Sequence, residues 1–277
     1  DSFAKIYKPP LLIKILFDIL GFSLKKKQNL NTQSPKENIR DSLQKMGTTF
    51  IKLGQFLATR PDIVGDELAE ELSKLQDKLP EFSMIEAENQ IKKELGETNF
   101  KNISNLSKPV AAASIAQVHF ADINDGEIKK GVAIKILRPN IEKIFLEEIN
   151  ALMFLASIVE SLVKKTRRLR LTRVVHLLKE ITSIEMDLRF EAAAANELYE
   201  NTKNDIGFKV PKIYWNYTSK KILTLDRIEA IPIREVTKIK EENIDLKKIS
   251  KNLIQQFLKQ AVRDGFFHAD MHQGNLF

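Results

Sequence analysis

Gly265-Phe-Phe-His-Ala-Asp-Met-His-Gln-Gly-Asn-Leu-Phe277 is the stretch that decides how the rest of the chain is read. In it, His268-x-Asp270 is followed five residues later by Asn275. In phosphoryl-transfer enzymes of the kinase type, this spacing sets an Asp opposite the attacking hydroxyl and gives an Asn to a metal ion. Such a reaction asks the protein mainly for position and charge. The other parts should therefore lie upstream: a cation for the phosphates, an acid to hold it, and a loop over the triphosphate. The chain ends two residues past Asn275. The second metal-binding Asp of such sites, expected on the next hairpin, would fall beyond Phe277.

Working back from that loop, Val132-Ala-Ile-Lys135 reads as a strand ending in a lysine that can pair the α- and β-phosphates. Strand lysines commonly face solvent. The position of Lys135, after the Asn124-Asp125-Gly126 turn and well before the closing loop, favours the phosphate role. Its acidic partner should sit on a helix further on. Ile184-Glu-Met-Asp-Leu-Arg-Phe-Glu191 offers Glu185, Asp187 and Glu191. Asp187 and Glu191 are four apart and are predicted to share a helical face. The alternative is a surface acidic face balanced by Arg189. The small residues Ala192 to Ala195 allow another backbone to approach closely. Where a kinase carries a glycine-rich loop, this chain reads Ala111-Ala-Ala-Ser-Ile-Ala-Gln-Val-His119. Alanine closes the positive-φ conformations that glycine permits, so the loop should be stiffer. His268 is read as a scaffold residue, and His272 receives no role.

With Lys52-Leu-Gly-Gln55, these residues resemble the UbiB-type atypical kinase-like family of ubiquinone biosynthesis. That family has an alanine-rich loop in place of the glycine-rich one and an N-terminal extension with a Lys-x-Gly-Gln motif. The matches run in family order from residue 52 to 277. The resemblance implies an α+β, atypical protein kinase-like fold: an N-terminal helical extension, an antiparallel N-lobe sheet and the start of a helical C-lobe. It implies ATP or ADP with Mg²⁺ or Mn²⁺ as cofactors. Asp270, Lys135 and Glu191 would be catalytic. Ala111, Ala112, Ala113, Ser114 and Lys135 would line the nucleotide, with Asp226 and Glu229 at a hinge assigned by position. Asn275 would bind the metal. Lys52, Gly54 and Gln55 would be regulatory and would meet Glu185 and Asp187 across the active site. The implied role supports ubiquinone biosynthesis by ATP hydrolysis or by phosphoryl transfer to a small molecule or lipid, rather than by protein phosphorylation. Two other readings are a non-catalytic, nucleotide-gated scaffold of a membrane complex and an aminoglycoside- or choline-type phosphotransferase. The Lys-x-Gly-Gln extension and the alanine loop argue against the latter. Ending at Phe277, the chain by itself is expected to be inactive and to bind nucleotide weakly.

Composition sets the bounds. The sequence has 277 residues, 43% hydrophobic and 29% charged, as in a soluble globular protein. It has no Cys, which excludes a disulfide framework and thiolate metal sites. The net charge is +7, with basic clusters at Lys25-Lys26-Lys27, Lys164 to Arg170 and Lys247-Lys248. These suit polyanions or solvated helix faces. No aromatic residues interleave with them, so nucleic acid is not expected as a partner. The expected partners are nucleotide, an anionic membrane surface and ubiquinone-biosynthesis proteins. The expected location is the bacterial cytoplasm against the inner membrane, or an organellar inner membrane in a eukaryote. Leu11 to Leu24, broken by Lys14 and Asp18, suits an interfacial helix or one packed on the protein. It lacks a small-residue cleavage site, and the first residue is Asp, so the N-terminus reads as trimmed.

Four segments follow: 1–35, an amphipathic stretch and linker; 36–104, the helical extension; 105–229, the N-lobe; 230–277, the start of the C-lobe. Ile39, Leu43, Met46, Phe50, Leu53, Phe56 and Leu57 share helical spacing behind Pro35. A second helix is predicted over Gly65–Leu79, and a third opens at the capping box Ser83-Met-Ile-Glu86 and closes at Gly96. Strands are predicted over Val110–Ile123 and Val132–Leu137. A helix over Pro139–Lys164 is predicted to bury its apolar run Ala151–Val159. One long helix is predicted over Thr172–Asn201, a hairpin over Ile213–Tyr217 and Ile222–Ile228, and a helix over Leu246–Arg263 stopped near Gly265.

Overall fold

The computed structural model describes residues 35–75, 79–125, 128–162, 164–269, 271 and 274–277. The predicted N-terminal amphipathic segment lies outside these residues, as do Gly126, Asp270 and His272. In chain order the helices and strands begin with α1 (Pro35–Met46), α2 (Thr48–Ala58), α3 (Pro61–Val64), α4 (Asp66–Ser73) and α5 (Met84–Lys101). Then come β1 (Ile103–Ser104), β2 (Pro109–Ala112), β3 (Ala116–Asp125) and β4 (Ile128–Leu137). They are followed by α6 (Ile141–Leu162), α7 (Leu171–Glu185), α8 (Leu188–Thr202), β5 (Ile222–Asp226), α9 (Val236–Glu241) and α10 (Leu246–Leu258). Two compact units share them. One takes residues up to Pro80, Ala112–Ile115 and Asn140–Ser183; the other takes Glu81–Ala111, Ala116–Pro139 and Ile184–Phe277. Among the described residues no helix is long and apolar enough to cross a membrane.

The first unit is helical. The helix expected to run without a break from Ile39 to Leu57 is interrupted at Gly47, whose φ of 106° and ψ of −167° are not helical. The helical register restarts there. Thr48, Thr49, Ile51 and Gly54 become the buried side of α2, and Met46 turns to solvent. The helix predicted over Gly65–Leu79 is the shorter α4, which gives way at Lys74. Ile39, Leu68, Leu72 and Leu75 form the local core, flanked by Leu43, Leu57, Ala58 and Val64. The apolar run Ala151–Val159 is not buried as predicted. In α6 it is Ile141, Phe145, Ile149 and Ala156 that are buried, while Phe154 and Leu155 face solvent.

The second unit is built on the sheet. Its strands run β1-β3-β4-β5, with β2 pairing β3. All the ladders between β1, β3, β4 and β5 are antiparallel. The predicted strand Val110–Ile123 is split at Ala113–Ile115 into β2 and β3. Along β4, Val132, Ile134 and Ile136 are fully buried. With Ile123 and Ile222 they pack against Ala87 and Ile91 of α5, closed by Tyr214 and Tyr217. The capping box that starts α5 is present: the Ser83 hydroxyl accepts from the Glu86 N–H at 3.2 Å, and Glu86 Oε2 accepts from the Ser83 N–H at 2.9 Å. Gly96, at φ 78°, breaks the helix where predicted, and one more turn follows.

The long helix predicted over Thr172–Asn201 is two helices, because Asp187 leaves helical geometry and caps α8. The first strand of the predicted second hairpin reduces to one bridge, Ile213 to Leu225, followed by a 3₁₀ turn at Trp215–Tyr217. The final helix matches prediction in extent. α10 continues into a wider turn over Lys259–Asp264 and ends at Gly265 in the left-handed conformation.

Candidate functional site

Strand pairing fixes which side chains share the sheet's second face. Val118 stands opposite Lys135, and Lys135 opposite Leu223. Phe120 stands opposite Ala133, and Ala133 opposite Leu225. Residues directly opposite point to the same side. Lys135 therefore rises from a shelf of Val118, Phe120, Ala133 and Leu225, all half-buried. Sequence reading named Lys135 and missed the shelf. Its signal is the strand alternation itself: the positions between the fully buried isoleucines.

Lys135 Nζ donates to both carboxylate oxygens of Glu191, at 2.9 and 2.7 Å. The side chains are 28% and 48% exposed. The pair is thus reachable by a ligand, and solvent screens it. Glu191 lies in the first turn of α8, where a carboxylate is also favoured by the helix dipole. Of the predicted small run, only Ala192 is buried.

Asp187 does something else. It does not share a helical face with Glu191, since it is the residue before α8. Its carboxylate accepts from the Arg189 backbone N–H at 3.1 Å and from the Arg189 guanidinium at 2.9 and 2.6 Å. That guanidinium, above all, holds the Asp187 carboxyl below the usual Asp range. Capping competes with helix continuation, which explains the break in the predicted long helix. Glu185 is the last residue of α7.

At the hinge, Asp226 Oδ1 accepts from Tyr214 OH at 2.7 Å and Oδ2 from the Lys212 N–H at 3.1 Å. That carboxylate serves the fold. Glu229 is exposed and pairs with Arg227 at 3.2 Å.

The alanine-rich nonamer is split by environment. Ala111 is exposed, Ala112 and Ala113 are half-buried, and Ser114 is buried. The last part reaches the core face through two polar residues that sequence reading passed over. Gln117 and His119 are fully buried. Gln117 Oε1 accepts from the Phe82 N–H at 3.1 Å, and its Nε2 lies 2.9 Å from His119 Nε2. His119 Nδ1 lies 2.8 Å from the Ser107 carbonyl. A neutral ring protonated on Nδ1 satisfies both contacts. Burial lowers the His119 pKa in keeping with this. The sequence signal was polar residues at positions i and i+2 in a strand whose same-face neighbours are apolar.

In the other unit, Gly54 of the Lys-x-Gly-Gln motif has a packing reason. A Cβ there would run into Leu75 and come within 3.2 Å of Leu43. Lys52 and Gln55, on the same helix, are half-buried. Their meeting with Glu185 and Asp187 stays with the resemblance.

Asn275 is exposed, and the carbonyl of the next residue, Leu276, accepts from the Ile233 N–H at 3.0 Å. His268 donates its backbone N–H to Gln260 Oε1 at 3.3 Å. Magnesium takes hard oxygen ligands, and the Asn275 amide oxygen is one; phosphate oxygens and water commonly complete such a set.

The ABC1 atypical kinase-like domain matches residues 74–277. The chain belongs to that family. It is 34% identical over its whole length to a probable protein kinase UbiB of Marinobacter nauticus, covering 50% of that relative. It is 37% identical over 240 residues to its counterpart in Pseudomonas paraeruginosa, covering 86% of this chain and 44% of the relative. The chain thus spans about half the length of the curated relatives it matches. Among solved structures it is similar to Rv3197 of Mycobacterium tuberculosis, determined in complex with erythromycin. That match has a TM-score of 0.55 and 25% identity, and covers 84% of this chain and 58% of the other. The α+β, atypical kinase-like fold class read from the sequence therefore stands, and so does the UbiB-type resemblance.

Proposed function

We propose that this ABC1 chain supplies the nucleotide half of a kinase-like site that supports ubiquinone biosynthesis. The chemistry would be ATP hydrolysis or phosphoryl transfer to a small molecule or lipid, performed at an anionic membrane surface with other proteins of that pathway. The observation that carries the reading is the Lys135–Glu191 pair on the open face of the sheet. A lysine held by a carboxylate is positioned before the ligand arrives, so less ordering is needed when phosphate oxygens replace solvent around it. The half-buried shelf of Val118, Ala133 and Leu225 suits a flat base, with the phosphates running toward Lys135. The backbone after Asp226 would meet the base edge; the cover over the phosphates by Ala111 to Ser114 stays with the resemblance.

Asp270 is assigned the acceptor hydroxyl, and Asn275 the metal. A divalent ion, when bound, would neutralise charge on the transferring phosphoryl group. Lys135 would orient the α- and β-phosphates, Glu191 would hold Lys135, and His268 would brace the loop through its backbone.

The test is nucleotide binding and turnover by the full-length protein, alongside Lys135→Ala and Asp270→Asn. Lys135→Ala should weaken ATP binding, and Asp270→Asn should abolish turnover while keeping binding. Hydrolysis unaffected by both changes sinks the enzymatic reading. Binding without turnover in the unaltered protein, sensitive to Lys135→Ala, selects the nucleotide-gated scaffold.

A further inference from the structure

The chain passes from α6 to α7 through a 3₁₀ turn at Lys164–Leu169. Glu160, near the end of α6, accepts from the Thr172 N–H at 3.1 Å and from its hydroxyl at 3.0 Å. Both helix ends therefore meet at one tip. From residue 161 to 179 there is no Asp or Glu, and seven residues are Lys or Arg. Arg168, Arg170 and Arg173 are exposed there, and Arg167 donates to the Glu160 carbonyl at 3.2 Å. The Glu160 carboxylate is thus occupied by α7. On the last turns of α6, Phe154 is 65% exposed, Leu155 44% and Leu162 57%. Leu177 on the second turn of α7 is also exposed.

A dense single-sign charge next to outward-facing aliphatic and aromatic side chains is the pattern of a surface that binds anionic bilayers. The cations meet lipid headgroups while the apolar side chains enter the acyl boundary. We infer that the tip of the α6–α7 turn docks this protein onto an anionic lipid bilayer, through Arg168, Arg170 and Arg173 with Phe154, Leu155 and Leu162. A nucleic-acid surface would gain little from exposed Leu155 and Leu162 and offers no run of stacking rings. The inference rests on the membrane part of the proposed function and assigns it a surface. It is independent of nucleotide binding at Lys135.

The experiment is cosedimentation of the intact chain with phosphatidylcholine vesicles, with and without phosphatidylglycerol. Binding should require phosphatidylglycerol and fall as salt rises. Two variants remove the tip chemistry: Arg168→Gln with Arg170→Gln and Arg173→Gln, and Phe154→Gln with Leu162→Gln. Each should lower vesicle binding by about tenfold or more, with an unchanged melting temperature, because every altered side chain is exposed. Changing Lys25, Lys26 and Lys27 to Gln should leave most of the binding. Vesicle binding that survives both tip variants overturns this surface while leaving membrane attachment intact. Binding lost only in the lysine variant assigns attachment to the N-terminal segment instead. Absence of vesicle binding overturns both, and a single-stranded RNA bound through the same arginines in preference to vesicles replaces the lipid with nucleic acid.

Discussion

The two faces of the β3–β4–β5 sheet are made by the same three strands and have opposite characters. On one face Val132, Ile134, Ile136 and Ile222 are sealed beneath α5. On the other, one residue along, Ala133 and Lys135 stand half-buried, with Glu191 reaching across from α8. The period of two that builds a strand lets β4 anchor the fold with one set of side chains and present a cation with the other. The anchoring side chains and the presented cation are therefore adjacent in sequence and separable by mutation.

The largest expected effect tests the sealed face. Ile134→Ala removes a fully buried side chain among α5 and its sheet neighbours. It should cost about 2–5 kcal/mol of stability. Chemical denaturation would measure it, and nucleotide affinity per folded molecule should not change. A loss of only a few tenths would mean that the α5 face is not the core.

A smaller effect concerns the histidine within that sealed face. Burial keeps His119 neutral, with its pKa below the ordinary value of about 6.5. The unfolded chain takes up a proton near that value while the folded chain does not. Stability from this group is therefore complete above about pH 6.5 and is lost as the pH falls below it. The slope is at most about 1.4 kcal/mol per pH unit. His119→Gln should lower stability at neutral pH and flatten the decline between about pH 7 and about pH 5.5, followed by thermal melts. A variant that keeps the full decline would assign it to other groups, and the sealed face would then carry no proton switch.

The two faces were not equally legible in the sequence. Val132-Ala-Ile-Lys135 and the Ser83–Glu86 box are local patterns, and both formed as read. The partnership of Lys135 with Glu191 followed from the order of motifs. The helix breaks at Gly47 and Asp187 were missed because apolar spacing continues across both. A glycine within a helix costs only about 1 kcal/mol, so it need not end one. Asp187 was read as sharing a helical face with Glu191 because a cap and a mid-helix acid are the same residue until the backbone turns. Ala151–Val159 was read as buried because apolar content does not say whether a neighbour covers it. Gln117 and His119 were overlooked because they are polar, although their alternation with Ala121 and Ile123 places them on the sealed face.

The smallest expected effect on stability tests the open face. Lys135→Met keeps much of the aliphatic stem and removes the ammonium. An ion pair this exposed contributes at most about 1 kcal/mol, so the melting temperature should barely move. Glu191 is half-exposed and can return to water, which limits the cost of losing its partner. ATP and ADP affinity should fall together, because the charge removed would face phosphates common to both. Isothermal titration alongside a thermal melt reads the two quantities on one sample. A variant that loses several kcal/mol of stability would make Lys135 a structural residue and erase the distinction between the faces. A variant that keeps both stability and affinity would leave the sheet with a sealed face and no nucleotide face. Affinity lost at constant stability is the result that two independent faces require.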